Sequence, residues 1–127
     1  MKMKKILAAL VLSLAVSVTA FAKEEVWQYN QFTTIDMSSA KISYPAGMQT
    51  LTFHTVEKAG DSTDYCTYVY NVDEQTIQLK EMVTKTKKSK YKSSFYPESI
   101  KNGNNVIKAR ARMADEVLQK VLEKLNK

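Results

Sequence analysis

Apolar and polar residues alternate through residues 48–85, MQTLTFHTVEKAGDSTDYCTYVYNVDEQTIQLKEMVTK, in three runs rich in Thr, Val, Tyr, Phe and Ile. A period of two sends successive side chains to opposite faces of an extended chain. These runs therefore predict half-buried antiparallel strands at 49–57, 64–72 and 76–84. In the first, Leu51, Phe53 and Thr55 share one face, and Thr52, His54 and Val56 the other. In the second, Cys66, Tyr68, Tyr70 and Val72 oppose Tyr65, Thr67 and Val69. In the third, Ile77, Leu79 and Val83 face inward, while Gln78, Lys80 and Thr84, joined by Met82, face solvent. The connections, Ala59-Gly60-Asp61-Ser62 and Val72-Asp73-Glu74-Gln75, are short enough to make the strands antiparallel neighbours.

Upstream, Val26, Trp27, Tyr29 and Phe32 with Thr33, Thr34 and Ile35 predict a strand over 26–35, or two short ones with a kink. Asp36-Met37-Ser38-Ser39 predicts a turn, because Asp and Ser side chains bond nearby backbone amides. A short strand over 40–44 follows, closed by Pro45-Ala46-Gly47. The lysine-rich run 85–92, KTKKSKYK, either extends the last strand or forms a loop. Residues 93–105 are interrupted by Pro97, Gly103 and asparagines and predict irregular chain, with Ile100 tucked inward.

The period then changes. Ile107, Ala111, Ala114, Leu118, Val121, Leu122 and Leu125 recur at spacings of three and four. That predicts an amphipathic helix of about 20 residues, roughly 30 Å long, capped by Asn104 or Asn105. Neither this stripe nor one face of the sheet can stay dry alone. The expected fold class is therefore α+β: an antiparallel sheet of about five strands with one C-terminal amphipathic helix packed on a face.

The first residues belong to a different pattern. Lys2, Lys4 and Lys5 precede an apolar stretch of 13 residues, 6–18, and Ala20-Phe21-Ala22 offers small residues at the positions a signal peptidase reads. The stretch is shorter than the roughly 20 residues that span a bilayer. Residues 1–22 are thus expected to be a secretory signal peptide, leaving 23–127 as a single α+β domain with no membrane span. Lys23 stands where a lipoprotein would carry cysteine. Loss of the three leader lysines lowers 19 basic residues to 16 against 13 acidic ones, so net charge falls from +6 to +3. That disfavours a generic nucleic-acid binder and leaves an exported protein, in a periplasm or at the cell surface. The single cysteine, Cys66, has no partner in the chain and is expected to pack within its strand, with intermolecular pairing or a reactive thiol as alternatives.

Candidate chemistry is sparse. His54 is the one histidine, and no second metal-ligating set, H-E-x-x-H or G-x-S-x-G accompanies it. Asp61 with Asp64, and Asp73 with Glu74, suit turn chemistry, and the three glycines cannot build a phosphate-cradling loop. No enzyme, cofactor or metal is expected. The lysine run remains: Lys85, Lys87, Lys88, Lys90 and Lys92, with Tyr91 among them, form a candidate binding site for a polyanion. Protection of an exposed sheet edge is the competing explanation of the same residues.

Trp27 shortly after the leader, Ile35-Asp36-x-x-Ser39, an aromatic strand around Phe53, the hairpin Tyr70-Asn71-Val72-Asp73-Glu74-Gln75-Thr76-Ile77-Gln78-Leu79 and a C-terminal helix together resemble the surface-adhesin protein E family. That resemblance implies an antiparallel sheet with a helix packed on it, and adhesin-like binding of host matrix proteins. The family often carries cysteines in the central hairpin and near the C-terminus, where this chain has none. The expected function is a small exported, non-enzymatic envelope or surface binding module. Its expected partner is a host or envelope macromolecule, protein or anionic glycan, and not a specific nucleic acid. A periplasmic accessory protein without a ligand, or a small hydrolase built around His54, are the alternatives.

Overall fold

The computed structural model describes residues 25–126. The expected leader and its cleavage point lie outside the described residues.

Seven strands precede one helix: β1 Val26–Gln28, β2 Thr33–Ser43, β3 Thr50–Ala59, β4 Ser62–Asn71, β5 Thr76–Lys85, β6 Lys90–Ser93, β7 Glu98–Ser99 and α1 Asn105–Leu125. The sheet runs β1-β2-β3-β4-β5-β6 in chain order, with every pair antiparallel. The short β7 also lies along β5, opposite Thr76 and Ile77, beyond the stretch that β6 covers. The fold is α+β as the pattern predicts, with seven strands rather than about five. One addition comes from 26–35, which is two strands. Asn30 Oδ1 accepts the backbone N–H of Phe32 and of Thr33, both at 2.9 Å, and turns the chain between them.

One sheet face carries Ile35, Leu51, Phe53, Cys66, Tyr68, Tyr70, Ile77 and Leu79, all buried. The helix covers them with Ile107, Met113, Ala114, Val117 and Leu118. Each large side chain so removed from water contributes about 1.5–3 kcal/mol, which is what holds a single helix to the sheet. Among the described residues nothing covers the other face, which leaves two layers and an open side.

The helix begins where the cap is predicted: Asn104 Oδ1 accepts Ile107 N–H at 3.0 Å. Gly103 just before it is required by space. A Cβ there would lie 2.6 Å from Ile107 Cγ2 and 2.8 Å from the Ser99 carbonyl. The apolar stripe is wider than seven positions suggest. Met113 and Val117 are also buried, because a helix lying on a sheet is covered across a broad arc and not along one seam. Leu125, expected in the stripe, is 69 % exposed at the helix end.

Two bulges correct the strand assignments. The predicted turn at 36–39 is instead a bulge inside the 11-residue β2. Asp36 pairs with His54 and Lys41 with Thr52, so residues 37–40 arch over the single position Phe53. The local bonding chemistry is as expected: Asp36 Oδ1 accepts from Ser38 N–H at 3.1 Å and from Ser38 Oγ at 2.5 Å. In β5, Thr67 pairs with Glu81 but Tyr68 with Leu79, which makes Lys80 an extra residue. Every later β5 side chain is thereby moved to the other face. Thr84, expected in solvent, is only 4 % exposed and donates to Asp64 Oδ1 at 2.7 Å. Met82 turns toward the core, and Val83 to the open face.

Two phenols tie the helix down. Tyr70 donates to Asp115 at 2.5 Å and Tyr29 to Glu116 at 2.6 Å. Burial, then the hydrogen bond to the carboxylate, pushes each phenol up to about 12 from an ordinary 10.0. Between those values the unfolded chain has released protons that the folded chain retains. Stability is therefore fully present below pH 10.0 and falls as pH rises toward about 12. Urea midpoints measured across that window should decline for the native protein and decline less steeply for a Tyr29→Phe, Tyr70→Phe double variant. Equal slopes would mean that neither phenol anchors the helix.

Candidate functional site

The lysine run is a hairpin. β5 ends at Lys85, and Thr86 N–H donates to the Ser89 carbonyl at 2.9 Å. Thr86 Oγ1 accepts Ser89 N–H at 3.0 Å, which closes the turn, and β6 returns from Lys90. The lysines are thus neither a simple strand extension nor a free loop.

The hairpin separates the six candidate residues. Lys85 and Lys90 are direct cross-strand partners and share the open face, as does Lys92, which pairs with Val83. Lys87 and Lys88 occupy the turn tip. Tyr91 pairs with Thr84 and belongs to the helix side, where it is exposed at the sheet edge. The structure therefore brings together Lys85, Lys90 and Lys92, places Lys87 and Lys88 beside them at the tip, and removes Tyr91.

It also adds residues that are distant in sequence. Lys58 pairs with Thr63, Thr63 with Lys85 and Lys85 with Lys90, which makes one continuous row across β3, β4, β5 and β6. The neighbouring row runs Val56, Tyr65, Val83, Lys92. Lys85 Nζ stands 5.1 Å from the Tyr65 ring centroid, a cation–π contact.

The acids that alternate with these residues go the other way. Glu57 accepts from Thr55 Oγ1 at 2.8 Å and Tyr68 Oη at 2.7 Å on the helix side. Asp64 accepts from Thr84 on that same side. On the open face Glu81 meets Lys92 at 2.8 Å, and this hydrogen-bonded ion pair holds the Glu81 carboxyl below its usual range. A chain segment that is nearly neutral when counted along the sequence becomes a basic surface once period-two alternation sorts its charges by face. The sequence signal for this was present in Lys58 and Tyr65, but only register connects them to the lysine hairpin.

His54 also lies on the open face. Its Nδ1 is 2.9 Å from Thr67 Oγ1, and its backbone N–H donates to Ser39 Oγ at 2.9 Å. Asp36, its cross-strand partner, already accepts from Ser38. The imidazole is exposed on the open sheet face. Cys66 is buried beneath the helix side, and burial pushes its thiol up to about 12, which leaves it protonated at neutral pH. Among the described residues no group of three His, Cys, Asp or Glu side chains converges on a point that could hold a metal.

A cleft of about 860 Å³ opens between the last turn of α1 and the β2 bulge, floored by Trp27, Met37, Ala40 and Val121. Lys120 Nζ lies 4.4 Å from the Trp27 ring centroid, and Lys124 meets Glu25 at 3.2 Å across its rim. Of its charged residues, Lys124 and Glu25 pair with each other, whereas Lys85 and Lys90 on the open face oppose one another. No described helix is long and apolar enough to cross a membrane. Compared with known proteins, the chain matches no family model, no curated protein and no solved structure.

Proposed function

We propose that this chain is a small exported, non-enzymatic binding module that engages an anionic macromolecule through the lysine end of its open sheet face. The observation that carries this reading is the direct opposition of Lys85 and Lys90 on an uncovered face, with Glu57 and Asp64 turned to the other side. Like charges opposed across a ladder destabilise a sheet. Edge protection needs lysines at β6, but it gives no role to Lys58 in the middle of the sheet. An anionic partner gives a role to both. The leader pattern at 1–22 supports export, and the resemblance to the surface-adhesin protein E family supports a binding role at the envelope or surface.

The test is retention of the protein on arrays of glycans and matrix proteins at two salt concentrations. Raising salt from about 0.01 M to about 1 M shortens the screening length from roughly 30 Å to 3 Å. Ligands held by this face should be captured at low salt and released at high salt. Capture that is indifferent to salt, or that survives replacement of Lys85, Lys87 and Lys88 by serine, would reject the site. A fusion of residues 1–22 to a reporter active only after export tests the leader separately.

A further inference from the structure

From the geometry of the open face we infer that the ligand is a linear anionic polysaccharide, laid across the strands along the row Lys58, Lys85, Lys90 rather than captured at the hairpin tip. This inference rests on the proposed function and narrows it to a ligand class and a binding direction.

Strands in a sheet are about 4.8 Å apart, so the row from β3 to β6 extends roughly 14 Å. Its cations stand in line on β3, β5 and β6, two strand spacings and then one strand spacing apart, with the neutral Thr63 of β4 between the first two. The row ends at Lys90, since β6 closes that side of the sheet, and Lys92 in the neighbouring row is paired with Glu81. Such an array complements a polymer that repeats a charge along its length.

The side chains then decide among polyanions. The face uses lysine alone. Both arginines, Arg110 and Arg112, stand on α1, behind the sheet. Arginine's planar fork favours bidentate recognition of carboxylate or phosphate in a fixed orientation, whereas lysine is a mobile point charge that pairs with anionic groups whose orientation varies along a chain. Single-stranded nucleic acid is held by successive bases stacking on aromatic rings. The two rows that carry the lysines hold one ring, Tyr65, and Lys85 already lies over it. An acidic peptide added as a strand to β6 would engage the four-residue edge and leave Lys58, three strands away, without a contact.

The experiment measures the affinity of the protein for heparin fragments, with neutral dextran and oligo-dT as comparison probes, over a series of salt concentrations. Heparin should bind and dextran should not, with affinity falling as salt rises. A Lys58→Ser, Lys85→Ser double variant should weaken heparin binding at least tenfold and flatten the salt dependence. Lys101→Ser with Lys108→Ser, away from the face, should leave binding unchanged. Glu81→Gln should release Lys92 and tighten binding severalfold, a gain that no folding defect can imitate. If the Lys58, Lys85 variant binds as the native protein does while Lys87→Ser, Lys88→Ser abolishes binding, the row is wrong and the broader anionic reading survives. Tighter binding of oligo-dT than of heparin would overturn the polysaccharide class. Failure of every anionic probe at low salt would sink both this inference and the function it rests on.

Discussion

A Val117→Asp variant is expected to lose about 3–5 kcal/mol at neutral pH, because it places an unpaired carboxylate in a dry interface. Val117 is fully buried, in the middle of the helix face that meets the sheet. A domain of this size is stable by about 5–15 kcal/mol in total, so the loss should leave a marginal fold. Val117→Ala separates the charge from the missing volume, since truncation alone costs about 2 kcal/mol. The gap between the two variants should widen as pH rises past the ordinary aspartate range, because the acid must then either ionise in the interface or bind a proton. Urea unfolding followed by far-ultraviolet circular dichroism provides the measurement. A Val117→Asp protein as stable as the native one would mean that the helix is not docked through this face, and the two-layer architecture would fall with it.

Phe53→Ala should cost about 3–5 kcal/mol and lower the urea midpoint by roughly 2 M. Phe53 is fully buried, stacks on Tyr68 with centroids 5.5 Å apart, and stands opposite residues 37–40 in the ladder. Removing the ring leaves a cavity in the core that β2 and β4, held to β3 by their ladders, cannot close without giving up their register. Phe53→Leu keeps most of the volume and should recover more than half of the loss. Val26→Ala, on the partly exposed first strand, should change stability by no more than about 0.5 kcal/mol. Equal effects of Phe53→Ala and Val26→Ala would show that the centre of the sheet is not the packing centre of the molecule.

The elements built from local information were legible. Alternation placed Leu51, Phe53, Tyr68, Tyr70, Ile77 and Leu79 on one face, because a strand without bulges has a strict period of two. Spacing of three and four located the helix and narrowed its cap to Asn104 or Asn105, of which the structure uses Asn104. The run 85–92 was recognisable as basic, but its shape was not. Five lysines do not say whether they lie in line, at a tip or on two faces.

What sequence alone determined is the class of the long segments: the strands around 49–57, 64–72 and 76–84, the helix near the C-terminus, and that an apolar sheet face and an apolar helix stripe must meet. Tertiary structure decided facing and neighbourhood. The extra residue at Lys80 exchanges Thr84 with Val83, and its position depends on how β4 and β5 align, not on any residue preference. The row from Lys58 to Lys90 exists because three strand registers agree across a gap of more than thirty residues. Local composition fixes periodicity, whereas register is set by the sum of contacts between strands. That is why the lysine run was visible along the chain and the basic face was not.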